Sequence, residues 1–219
     1  MSAVFGQGKG RNLSGIGKSG RIGLTALAAL AVALGTAQPA AAQYSAGYKF
    51  LQAVDKKEGT QIIDMLAKSS TLINSRDIST GRTALHIVID RRDQTWLDFL
   101  LAKGADPNLA DNKGTSPLLL ACRIGLLSAV PALVKAGARV DEASSTGETP
   151  LISAVQTRNV ALLSTLLKAG ADPDKADNSG RTARDYAKLE GAQSPVMVAL
   201  QRDAKPPSQR GAGGSYGPS

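Results

Sequence analysis

Between residues 48 and 203 the apolar positions recur at helical rather than alternating spacing. Phe50, Leu51 and Val54 are followed after a glycine by Ile62, Ile63 and Leu66, and Leu85, Val88 and Ile89 by Trp96, Leu97, Leu100 and Leu101. Further along, Leu118 and Ala121 precede Leu133, and Leu151 and Ala154 precede Leu166 and Leu167. Steps of three and four place such residues on one stripe of a helix. Each stripe covers only a few turns before a break, so the pattern predicts pairs of short antiparallel helices. Thr83 stands where it can cap the first helix of its pair, and Gly104 where the second ends, because a left-handed terminal residue suits glycine.

The breaks are periodic. Gly81, Gly114, Gly147 and Gly180 are spaced 33 residues apart, and each opens a short Thr/Ser-containing segment. Gly104-Ala105, Gly137-Ala138 and Gly170-Ala171 keep the same step. Two markers in phase indicate a stacked array of one unit, since a single helix pair cannot hide its apolar face. The first unit lacks the Gly-x-Thr opening, and its loop Leu72-Ile73-Asn74 matches Asp106-Pro107-Asn108 at a spacing of 34 residues, which predicts one inserted residue near Asp77 to Thr80. Pro131 falls inside the second helix of the third unit, where it removes a hydrogen bond unless that helix starts late.

These units resemble ankyrin repeats. The matching positions are Thr83, Leu85 and His86; Asp111, Gly114, Pro117, Leu118 and Ala121; Thr149, Pro150, Leu151 and Ala154; Asp177, Gly180, Thr182 and Ala187, with closing motifs at Gly104 to Asn108 and Gly170 to Asp174. The resemblance implies an all-α solenoid of stacked helix-turn-helix units with hairpin-like loops, about five in number. The first and last act as caps, and Val196, Val198 and Leu200 are placed on the inner side of the last. In the fifth unit Arg184 and Asp185 replace the usual Leu-His. The resemblance also implies a concave groove that binds a protein partner, and no catalysis. Counted from each repeat glycine, its groove positions hold Arg82, Asp90 and Arg91; Asn112, Lys113, Thr115, Arg123 and Ile124; Ser145, Thr146, Glu148, Gln156 and Thr157; and Arg181. Five of these are basic and two acidic, so a weakly positive groove and a partner with an acidic or polar contact surface are expected.

Composition changes this picture in one place. The chain of 219 residues carries 26 basic and 18 acidic side chains. Lys9, Arg11, Lys18 and Arg21 lie in the first 42 residues with no acidic neighbour, leaving 22 basic against 18 acidic residues in the rest. That modest balance gives no case for nucleic-acid binding. The same 42 residues run from a basic glycine-rich stretch through an apolar run at residues 22–35 to Ala40-Ala41-Ala42. This is the order of a secretory signal cut before Gln43, and the apolar run is shorter than the ~20 residues of a spanning helix. The expected division is therefore a signal peptide at 1–42, a repeat domain at 43–203 and a disordered Pro/Gly/Ser-rich tail at 204–219. The mature protein is expected in the periplasm or outside the cell, as a monomer, with membrane contact only through the signal segment if it stays uncleaved.

Candidate chemistry is sparse. His86 is the single histidine and Cys122 the single cysteine, which removes histidine triads, multi-histidine metal sites and intrachain disulfides. Asp106, Asp111, Asp172 and Asp177 lack the spacing of a calcium loop and read as turn caps. No catalytic residue, metal ligand or cofactor is expected. Trp96 is expected to pack between repeats. A basic-faced binder of an anionic surface or polyanion stands as the alternative to protein binding.

Overall fold

The computed structural model describes residues 40–206. The described residues form ten α-helices and a 3-10 turn, with no strand among them. The inner helices are α1 (Ala40–Lys56), α3 (Ala84–Asp90), α5 (Pro117–Arg123), α7 (Pro150–Gln156) and α9 (Ala183–Leu189). The outer helices are α2 (Gly59–Lys68), α4 (Gln94–Ala102), α6 (Ala129–Lys135), α8 (Val160–Lys168) and α10 (Pro195–Asp203). The 3-10 turn Ser70–Asn74 follows α2 and buries Leu72 and Ile73. Each inner helix packs on the next, and α4, α6, α8 and α10 form a parallel outer row. The result is the expected all-α repeat solenoid.

One apolar core runs through all five units, from Phe50 and Ile62 through Leu85, Leu118 and Leu151 to Val196 and Leu200. Leu118 and Leu151 occupy the same inward position on adjacent inner helices and are 1% and 0% exposed. The helices begin where their caps allow. Ser116, Thr149 and Ser194 accept N–H groups of the first turn and are followed by a proline, whose missing donor costs nothing there. Pro131 is accommodated in the same way, because α6 starts at Ala129 and the ring sits in its first turn.

The turns between repeats locate the insertion. A backbone bond closes Asp111 to Thr115, Ser144 to Glu148 and Asp177 to Arg181, but Asp77 to Arg82, one residue longer. Each tip then leans on the next. Asn112 N–H donates to the Thr80 carbonyl at 2.9 Å, Ser145 to Lys113 at 3.0 Å and Asn178 to Thr146 at 3.2 Å. The repeat glycines are required by this contact as well as by their backbone. Gly147 has φ +80°, and a Cβ there would stand 2.4 Å from the Asn178 nitrogen.

The expected inner placement of Val198 needs correction. Val198 is 45% exposed while Val196 and Leu200 are buried, because residues two apart in a helix point to different faces. Ile63 is likewise 52% exposed beside the buried Ile62. Helix α1 begins earlier than its apolar stripe, at Ala40, and so runs through the expected junction before Gln43. The rest of the expected signal segment, and the tail beyond residue 206, lie outside the described residues.

Gly147→Ala and Gly180→Ala separate the two roles of the glycine. Both have positive φ, but nothing lies within 4 Å of a Cβ at Gly180, so its variant should lose only about 1–2 kcal/mol of stability, through backbone strain. Gly147→Ala should lose clearly more, measured by urea unfolding. Leu118→Ala and Leu151→Ala should each cost about 2–5 kcal/mol.

Candidate protein-binding surface

The turn tips and inner helices present one continuous face. Arg82, Lys113, Glu148 and Arg181 stand beside the repeat glycines, and Asp90, Arg123 and Gln156 lie at the far ends of α3, α5 and α7. The positive charge expected of this face is largely compensated within it. Arg82 pairs with Asp90 through Nη2 and also donates to the His86 carbonyl at 3.3 Å. Arg123 pairs with Glu148 of the following repeat at 2.6 Å and donates to the Thr115 hydroxyl at 3.0 Å. Arg91 is turned inward, donating to the carbonyls of Val54 and Asp55 at the end of α1 and pairing with Asp93 at 3.1 Å. Lys113 and Arg181 remain exposed, with the Arg181 guanidinium 5.9 Å from the centre of the Tyr186 ring.

Thr115 holds an expected groove position but is 3% exposed. Its N–H, carbonyl and hydroxyl are engaged by Asp111, His86 and Arg123 respectively. Ile124 is half-buried against the core and its carbonyl accepts Arg92 at 2.6 Å. Thr157 is exposed but its hydroxyl donates back to the Ser153 carbonyl at 2.9 Å. Gln156 is exposed at the end of α7.

Sequence reasoning missed two features of this region. Arg92 and Arg158 adopt φ +54°, in register with Gly125 and Gly191. Arg158 pairs with Glu190 of the next unit at 2.6 Å. The alternation of Arg and Gly at the 33-residue step was readable in the sequence. Leu189 stands nine residues after Gly180, the offset used for the other repeats, and is 73% exposed.

The residues that could do chemistry are spent on structure. His86 is fully buried. Its Nδ1 accepts the Thr83 N–H at 3.1 Å, and its Nε2 lies 2.9 Å from the Thr115 carbonyl of the next repeat. An N–H can only donate and a carbonyl can only accept, so the ring is neutral with its proton on Nε2. Burial holds its pKa below the ordinary value, with nearby Arg82 adding to that and the Thr115 carbonyl, Asp111 and Asp90 opposing it. In α9 the corresponding Asp185 makes the same capping box with Thr182. The Cys122 thiol is buried and pushed up to about 12, so thiolate chemistry is suppressed. Trp96 packs edge-on to Phe99 with centroids 5.0 Å apart and lies against Gly59 of the first unit.

The recurring aspartates cap turns. Asp111 Oδ1 accepts the N–H groups of Lys113 and Thr115, both at 2.8 Å, and Asp177 Oδ1 those of Ser179 and Arg181. Asp77, bonded by the Ser79 and Thr80 hydroxyls and N–H groups, is lowered to about 2. A second ladder joins the repeats, with Asn74 accepting the Asp106 N–H, Asn108 that of Arg139 and Asp141 that of Asp172. Among the described residues no three acidic, histidine or cysteine side chains gather as metal ligands would.

Helix pairs stacked at a fixed step around one continuous core define an all-α repeat solenoid. A family model for ankyrin repeats matches residues 50–144 and 92–177. The chain belongs to the ankyrin-repeat family. It is 34% identical over 58 residues to an ankyrin repeat protein of Fowlpox virus (strain NVSL), covering 26% of this chain and 17% of that protein. It is 40% identical over 60 residues to one of Acanthamoeba polyphaga mimivirus, covering 27% and 8% respectively. The chain thus spans less than a fifth of these relatives' length. Proteins of this family are in general non-catalytic modules that bind other proteins.

His86 makes stability depend on pH. Its folded pKa lies below the ordinary 6.5, so below that pH the unfolded chain takes up a proton that the folded chain refuses. Stability should be full above pH 6.5 and fall as the pH drops toward the carboxylate range. His86→Ala should lose about 1–3 kcal/mol at pH 7.5 and abolish that slope. Urea unfolding of both proteins from pH 7.5 to 5 checks this, and parallel slopes would contradict it.

Proposed function

We propose that the chain is an exported scaffold that binds a protein partner on the face built by its turn tips and inner helices. The observation that carries this reading is the division of labour among side chains. Groups that hold the stack are buried or paired, whereas Lys113, Gln156 and Arg181 are exposed along one face. The partner supplies an acidic or polar surface to Lys113 and Arg181, as a monomer of this chain would meet it. Export rests on the order of basic, apolar and small residues through Ala42. Intact-mass analysis of protein from the native host should give a chain beginning at Gln43, and recovery of residues 1–42 on the folded protein would refute cleavage.

Of the basic groove residues Arg82, Lys113 and Arg123, reversal of Arg82 or Arg123 would also break their pairs with Asp90 and Glu148. Lys113→Glu with Arg181→Glu is the cleaner variant. With a partner captured from the envelope fraction, it should lower affinity about tenfold, chiefly by slowing association at low salt. Lys135→Glu with Lys168→Glu, at the ends of α6 and α8, should bind normally.

An anionic envelope surface or polyanion is the second reading, favoured by the lysines that close successive outer helices: Lys68 in α2, Lys103 after α4, Lys135 in α6 and Lys168 in α8. Loss of binding only in the Lys135/Lys168 variant, with steep salt dependence, would support it over the first.

A further inference from the structure

The outer row is closed from α4 to α10 but opens between α2 and α4. At the helix starts the gap is filled by Trp96, and a Cβ on Gly59 would lie 3.2 Å from its Cζ2. Toward the helix ends a cleft remains, lined by Ile63, Leu66, Ala67, Ser70, Phe99 and Lys103. Its walls are more apolar than the matching positions of α4 and α8. The fifth residue is Ile63 in α2, where α4 has Asp98 and α8 has Ser164; the sixth is Phe99 in α4, where α8 has Thr165. Ile63 is 52% exposed, so an isoleucine faces water at a position that is polar in those other repeats.

Among the described residues that line the cleft, the single charged side chain is Lys103, whose Nζ stands 5.6 Å from the centre of the Phe99 ring. Lys68 ends α2, and none of the described lining residues is a carboxylate. An apolar trough between two helices accepts the apolar ridge of a third helix, and its lysine calls for a carboxylate beside that ridge. A second copy of this chain fits poorly, because a two-fold contact here would bring like lysines together.

We propose that the α2–α4 cleft is a second docking site, separate from the turn-tip face, for an acidic amphipathic helix of a partner protein. The helix would seat apolar side chains between Ile63 and Phe99 and a glutamate or aspartate against Lys103.

Trp96 is the chain's single tryptophan and borders the cleft through Phe99, so its emission reports occupancy. The probe is a synthetic helix of about 18 residues with leucines at i, i+3, i+4 and i+7 and flanking glutamates, compared with a sibling carrying lysines for glutamates. The glutamate peptide should shift Trp96 emission saturably and the lysine peptide should not. Ile63→Asp and Lys103→Glu should each raise its Kd about tenfold or more, with melting temperatures showing both variants folded, and Lys103→Glu should gain affinity for the lysine peptide. No saturable shift, equal binding of the two peptides, or unchanged affinity in Ile63→Asp would overturn the proposal. So would an Ile63-dependent shift with phosphatidylglycerol vesicles, which would assign the cleft to a membrane, or concentration-dependent dimers abolished by Ile63→Asp, which would assign it to a second copy. None of these outcomes involves Lys113 or Arg181, so the two sites stand or fall separately.

Discussion

A pair of helices as short as α7 and α8, seven and nine residues long, has too little surface to hide its own leucines, and the rest of the structure follows from that shortfall. Leu151, Leu162 and Leu166 reach full burial because inner helices pack on inner helices and outer on outer. Apolar burial of this kind supplies the drive, at about 25 cal/mol per Å² removed from water, but sets register only loosely. Register comes from the polar contacts between repeats, each of which fixes one residue against its counterpart in the next.

Those contacts account for how the polar residues are used. Asn74, Asn108 and Asp141 accept N–H groups of the following repeat, His86 reaches the Thr115 carbonyl, and the turn tips bond backbone to backbone. Each is worth only about 1 kcal/mol net, and an unmet buried partner would cost more. The same demand draws Arg91, Arg123 and Arg158 into inter-repeat bonds. What is left exposed on the turn-tip face is a small set of side chains on a stiff frame.

The repeat step, the late start of α6 around Pro131 and the extra residue between Asp77 and Arg82 were all legible in the sequence, because glycine, proline and chain length act locally. The pairing of Arg82 with Asp90 and of Arg123 with Glu148 was not, although all four residues lie at the offsets counted from the repeat glycines. Offsets from a glycine say which face a residue joins but not whether its charge is already met. Thr115 shows the same limit, since its three polar groups find partners on three different residues and draw it inside. The α2–α4 cleft was hidden for another reason. Ile63 continues the apolar stripe of α2, and only the spacing of the two helices shows that it is left 52% exposed among the described residues.

Amide hydrogen exchange, read residue by residue by NMR, tests most directly whether the polar contacts between turn tips hold the repeats in register. The amides of Asn112, Ser145 and Asn178 sit in exposed turns, yet each donates to the preceding repeat. The account predicts that they exchange only with opening of the stack, with protection comparable to that of Leu120 and Ser153, whose amides bond to the Ser116 and Thr149 carbonyls in the neighbouring inner helices. Exchange of these three amides at the rate of free loops, while the helices stay protected, would contradict it.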